Sequence, residues 1–315
     1  MSPQTSRALV LPAMLLLGCG DCASNSSTHV AERSARAERE QPAYVPLHIP
    51  PEEQAGAESQ PLNTRLFQVA GTVDFQNRYS STVMISLDAP MTGARCSGVL
   101  LGPRTALTAG SCVCTRQKHG SDEPACAKRV YVTVIEYGEA YTESLADMDI
   151  RPQAGKVRPH PGLRLSVNVN SSVGAGAVDL AVIVLDKPIS PSPTGARFGR
   201  RDLQPGEFIT MVGYGYGEEV GQIFGLRYFR KNQLTKVLPE GRALYEQQGL
   251  FLYHGYHGGP CFREDENGQW LVGIASKGSA DELALVSTYF HRDWILAEMD
   301  LTTGDEAPIP DSSTP

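Results

Sequence analysis

Cys96-Ser-Gly-Val-Leu-Leu-Gly-Pro-Arg-Thr-Ala-Leu-Thr-Ala-Gly-Ser111-Cys112 sets the architecture. Val99–Leu101 is a short apolar run of strand length, and Gly102-Pro103 punctuates it as a turn. The cysteine at each end predicts a disulfide, Cys96–Cys112, that staples two strands. On either side, runs of the same kind recur at Ser81–Leu87, Val130–Tyr137, Leu180–Leu185, Phe208–Val212, Trp270–Ala275 and Leu283–Tyr289, with Gly and Pro between them. Many short strands without intervening helices predict an all-β sandwich or barrel. One helical pattern, Asp293–Leu301, closes the domain; Trp294, Ile295 and Leu301 are predicted to face inward, and Asp293, Glu298 and Asp300 outward. Trp270 and Trp294 are expected as core anchors, and Tyr214 and Tyr216 as packing at a strand end.

The 315 residues, 41% hydrophobic and 20% charged, supply enough material to bury one large core or two small ones. Against 35 Asp and Glu stand 28 Lys and Arg, a formal charge of −7. With no block of basic residues, that balance argues against a nucleic-acid partner. The 31 Gly, 22 Pro and 7% aromatics suit a loop-rich β protein. That Gly and Pro content, together with the lack of any apolar run of the roughly 18 residues a helix needs to span a bilayer, argues against long coiled coils and membrane channels.

Residues 1–18 carry one positive charge, Arg7, and then the apolar run Ala8–Leu17, the pattern of a signal peptide. Leu16-Leu17-Gly18-Cys19 resembles the lipobox of bacterial lipoproteins. That resemblance implies acylation of Cys19 and a lipid anchor in the cell envelope; a plain secretory peptide is the alternative. Residues 19–65 are rich in Ser, Ala, Glu, Arg and Pro and read as a disordered tether, 66–301 as the folded domain, and 302–315 as a disordered tail.

Seven cysteines suit an exported protein, and lipidation of Cys19 leaves six. Besides Cys96–Cys112, a bridge Cys114–Cys126 is expected to close a polar loop, each contributing about 2–4 kcal/mol through loop-closure entropy. Cys22 and Cys261 are unassigned. A zinc site at Cys112-x-Cys114 is the competing reading, but one intervening residue is atypical and no nearby pair of histidines completes it.

Four segments in order carry a resemblance: the opening stretch, Val178-Asp179-Leu-Ala-Val-Ile-Val-Leu, Val212-Gly-Tyr-Gly, and Gly255-Tyr-His-Gly-Gly-Pro260. With Leu271–Gly278 and Tyr289–Ile295, they make the chain from Leu66 to Leu301 similar to the trypsin/chymotrypsin family of serine proteases. The resemblance implies two six-stranded β-barrels with the active cleft between them. It also implies a serine nucleophile, a histidine base and an aspartate that orients the histidine. Here the position matching the base is Ser111, the position matching the nucleophile is His257, and Asp179 alone keeps its type. Gly255 and His257 match the oxyanion-hole positions. Phe251, Ser276 and Gly278 match the specificity pocket, and Phe251 at its floor implies an apolar pocket unsuited to Lys or Arg. Tyr256 replaces the aspartate that would receive a freed N-terminus. Phe67 stands where a basic residue would precede the cut, ahead of Gln68-Val69-Ala70-Gly71, so no trypsin-like activation is visible.

Exchanging serine and histidine preserves composition but not geometry. Asp179 is expected to contact Ser111, leaving His257 without an orienter and the oxyanion amides around the wrong side chain. Losing one such donor costs about 2.7–4 kcal/mol. The expectation is an exported, lipid-anchored protein of the trypsin-like fold, inactive as a protease and acting by binding a peptide or protein. It would need no cofactor and no metal, and would meet the membrane through its anchor alone. The enzyme alternative is a serine endopeptidase with a rearranged Ser111/Asp179/His257 site. A metal-assisted hydrolase using His254, His257 and Asp179 is a third reading.

Overall fold

A computed structural model describes residues 71–91, 96–116, 124–138, 148–167, 173–175, 178–214, 225–247, 255–277 and 283–303. Strands β1 (Thr72–Val73), β2 (Thr82–Ser86), β3 (Cys96–Gly102) and β4 (Thr105–Thr108) lead into the one-turn helix α1 (Gly110–Val113). Next come β5 (Cys114–Arg116), β6 (Pro124–Cys126), β7 (Arg129–Tyr137), β8 (Met148–Pro159), β9 (Leu165–Val167), β10 (Val173–Ala175) and β11 (Ala181–Leu185). A connecting segment precedes β12 (Phe208–Gly213), β13 (Tyr228–Val237), β14 (Arg242–Glu246), β15 (Pro260–Asp265), β16 (Gly268–Lys277), β17 (Leu283–Ser287) and helix α2 (Arg292–Thr303).

Two rings of strands close. In the first, β11-β4-β3-β2-β7-β8 returns to β11 through the β8–β11 pairing. In the second, β13-β12-β15-β16-β17-β14 returns to β13, and β1 adds itself at the start of β13 through Thr72↔Phe229 and Val73↔Tyr228. The double six-stranded barrel implied by the resemblance is therefore present. The β-branched runs of β2 and β11 fill the first barrel because their side chains pack well on a pleated, fully covered surface. Where β8 crosses β11, Gly155 leaves the room needed, since a Cβ there would come within 2.7 Å of Ile183 and 2.9 Å of the Val184 carbonyl.

Between the barrels lies a fully buried ion pair. Arg227 Nε donates to Asp74 Oδ2 at 2.8 Å, and its Nη1 donates to the Ile135 carbonyl at 2.9 Å and the Tyr214 hydroxyl at 2.7 Å. Two disulfides are formed, Cys96–Cys112 and Cys114–Cys126. Cys261 is a buried free thiol, while Cys19 and Cys22 lie outside the described residues. Bridges of this kind persist in oxidising surroundings and point to an exported protein.

Two expectations need correction. Leu301 does not face inward; it is 58% exposed in the last turn of α2, whereas Ile295 is fully buried and Trp294 packs on His160 at 4.6 Å between ring centroids. Trp270 is not a core anchor. Its indole is half-buried at the molecular surface, with Arg197 over the ring and its Nε1–H donated to Asp265 at 3.0 Å. Tyr214 is buried and receives Arg227, while Tyr216 lies outside the described residues.

Candidate active site

Each side chain of the site is presented by a different local device. Ser111 sits in α1, which begins as β4 ends. Gly110 beside it approaches Leu163 so closely that a Cβ would lie 2.7 Å from that side chain. Asp179 immediately precedes the buried Leu180 and β11, and its carboxylate is fully enclosed. His257 rides on the turn before β15. Its carbonyl accepts the Ser97 N–H at 2.8 Å, and the Gly258 N–H donates to the Ala275 carbonyl at 2.8 Å. Gly258 has φ +78°, and any Cβ there would strike the Ser97 carbonyl at 2.4 Å and Thr108 Oγ1 at 2.5 Å. Only glycine meets both demands.

The three side chains converge. The Ser111 hydroxyl donates to Asp179 Oδ2 at 2.7 Å, and Ser111 Oγ lies 2.9 Å from His257 Nε2. Asp179 also accepts the Ser111 backbone N–H on Oδ1 at 2.7 Å and the Ser276 hydroxyl on Oδ2 at 2.7 Å. Burial alone would raise the Asp179 carboxyl. The His257 imidazole, the Ser276 hydroxyl and the Ser111 amide outweigh it and hold the group below the usual carboxylate value.

The order of contacts is carboxylate, hydroxyl, imidazole. His257 Nε2 is 3.9 Å from Asp179 Oδ2, with the hydroxyl between them. With Asp179 ionised, the proton of the 2.7 Å contact is the serine's own, so the 2.9 Å contact requires a proton on Nε2. With that proton in place the imidazole stands toward Ser111 as a donor. Its other nitrogen, Nδ1, faces the disulfide, 3.4 Å from Cys96 Sγ and 3.6 Å from Cys112 Sγ. Neither sulfur orients a ring as a carboxylate does. A carboxylate held low is in turn a poor acceptor for the serine proton in a reaction near neutral pH.

Gly255 and His257 share the turn that replaces the nucleophile loop, and both are buried. Ser276 spends its hydroxyl on Asp179. Tyr256 is buried, with Gly71 packed on its hydroxyl; a Cβ on Gly71 would lie 3.0 Å from it. Phe251, His254 and Gly278 lie outside the described residues. Among the described residues, the sulfur and imidazole atoms of Cys96, Cys112 and His257 crowd as a metal site would, but the two sulfurs are bonded to each other. Sequence reasoning missed the Ser276 contact with Asp179. Cys112, next to Ser111 in the chain, brings the disulfide to the Nδ1 side of the His257 ring, away from Ser111 Oγ.

A family model described as a trypsin-like peptidase domain matches residues 96–274, more than half of the chain. A search of the curated proteins finds no match.

Proposed function

Because the chain belongs to the trypsin-like peptidase family, we propose that it keeps the family's scaffold without its hydrolysis and acts as an exported protein that binds a peptide or protein segment. The observation that carries this reading is the hydrogen-bond order Asp179–Ser111–His257. In that order the serine hydroxyl donates to the carboxylate and meets the imidazole as a donor, which supports the reading that the hydroxyl is not activated. Loops and edges around the seam between two barrels remain suited to an extended segment. The signal pattern and Cys19 support delivery to the envelope on a lipid anchor.

A fluorophosphonate probe tests the chemistry. Wild-type protein is expected to stay unlabelled at Ser111, and a phosphonylated Ser111 mapped by mass spectrometry would sink the proposal in favour of the second reading, a serine endopeptidase with a rearranged site. That reading draws on the 2.9 Å approach of imidazole to hydroxyl. Binding is tested separately. Peptides selected from a displayed random library are expected to shift the imidazole resonance of His257, and selection of none that does so counts against the binding role.

A further inference from the structure

The segment joining the barrels and the β15–β16 hairpin border a cavity of about 490 Å³ that Ser111, Asp179 and His257 do not line. Four guanidinium groups line it, those of Arg197, Arg200, Arg201 and Arg263. Arg263 is locked: it pairs through Nε and Nη2 with both oxygens of Glu207, and it donates to the Arg201 and Asp202 carbonyls at 3.4 and 3.2 Å. Glu207 also takes Arg201 Nη2 at 2.8 Å. One carboxylate thus serves two arginines.

Arg197 and Arg200 are left on the indole of Trp270, at 4.7 and 5.4 Å from its centre. Among the described residues no carboxylate oxygen lies within 4.0 Å of either guanidinium. Arg197 Nη2 donates only to the Asn267 carbonyl at 3.3 Å, and Gly268 clears its path, since a Cβ there would lie 2.5 Å from Nη2. Asp265, the acid that lines the cavity, turns its oxygens to the Trp270 Nε1–H at 3.0 Å and the Asn267 N–H at 2.8 Å. Glu264 beside it faces away, to Tyr79 and Thr210. Glu266 occupies the hairpin tip. The lining holds four arginines and one acid, Asp265; counting also Glu207, which pairs with Arg201 and Arg263, these six residues carry an excess of two positive charges on a chain whose formal charge is −7. An indole offsets part of the repulsion between two guanidiniums. A doubly charged anion would offset the rest.

We propose that this cavity binds a phosphate monoester, its tetrahedral dianion bridging Arg197 and Arg200 beside Trp270. A carboxylate brings one charge and two coplanar oxygens, whereas a phosphate dianion brings two charges and three oxygens that point in different directions, one set for each guanidinium. The cavity also exceeds a bare ion in size and has room for the organic part of the ester. That part is either a soluble sugar or a lipid headgroup.

The chain holds two tryptophans, so in a Trp294→Phe protein the fluorescence of Trp270 reports the cavity. Glucose 6-phosphate is added at matched ionic strength, with glucose and sodium chloride as controls, and vesicles containing phosphatidic acid are tested in parallel. A saturable change with the phosphorylated sugar, absent with glucose and chloride, supports a soluble ester; a response to the vesicles alone supports a headgroup. Either response is expected to weaken at least about tenfold in Arg197→Ala/Arg200→Ala, and in the milder Arg200→Gln should the double variant not fold. Lys231→Ala, in a different cavity, is expected to change nothing. Silence from every phosphorylated probe, or a response that survives both arginine variants, overturns the proposal.

Discussion

Asp179 accepts three hydrogen bonds in complete burial, from the Ser111 amide, the Ser111 hydroxyl and the Ser276 hydroxyl. Asp179→Asn replaces one acceptor oxygen with a donor amine among these donors, and is expected to cost about 1–3 kcal/mol at neutral pH. The pH dependence has a definite sign. Because the folded carboxyl titrates below the unfolded one, the unfolded chain takes up the proton first as pH falls. The advantage of wild type over Asp179→Asn is full above the unfolded value of about 3.9 and shrinks as pH drops through the folded value. Urea denaturation of both proteins from neutral pH into acid checks this, and a difference that widens in acid contradicts it. The residues of the site were legible in the sequence, since Ser111, Asp179 and His257 lie in motifs with fixed spacing. The contact of Asp179 with Ser111 was legible too, but the Ser276 hydroxyl on the same carboxylate was not, because it comes from β16 of the other barrel and depends on how the seam closes.

Arg227 precedes β13 of the second barrel and reaches into the first, donating its side chain to the Ile135 carbonyl of β7 and its own backbone N–H to the Tyr137 hydroxyl. Its side chain and that of Asp74 have no exposed surface. Removing one member of such a pair strands the other charge, so Arg227→Ala is expected to lose about 3–5 kcal/mol. Arg227→Met with Asp74→Asn together is expected to lose less than the sum of the single changes, and a thermodynamic cycle on the four proteins measures the difference. Nothing in the sequence singled out Arg227, because an arginine's ordinary place is the surface. The same limit applies to strands. Apolar runs marked β2, β7, β11 and β17, whose cores are buried, but β8 reads Met-Asp-Ile-Arg-Pro-Gln-Ala-Gly-Lys-Val-Arg-Pro and keeps most of its residues half-exposed. It belongs to the barrel through its pairing with β7 and β11, which local composition does not record. β13 carries the same kind of mixed pattern.

Both disulfides fall between residues 96 and 126, in or beside the first barrel, while the second barrel has none among the described residues. Closing loops with sequence separations of 16 and 12 contributes about 3 kcal/mol each on a chain-entropy basis, a large share of the roughly 5–15 kcal/mol typical of a domain. Reduction therefore loads its cost on one barrel, and the question is whether the other shares it. Two tryptophans separate the answers. Trp294 packs on His160, just after β8 of the first barrel, and Trp270 pairs with Arg263 across the β15–β16 hairpin of the second. The seam is held by Arg227, by the Ser97 amide donating to the His257 carbonyl, and by the Tyr214 amide donating to Ser97 Oγ at 2.8 Å. These contacts desolvate polar groups of both barrels together, so opening one leaves buried donors of the other unpaired. In dithiothreitol, the single-tryptophan proteins Trp270→Phe and Trp294→Phe are expected to melt at the same lowered temperature. Adding Arg227→Ala is expected to split the two transitions, with the Trp294 signal falling first. Transitions already separate in the reduced protein with Arg227 intact would mean that the seam does not couple the barrels.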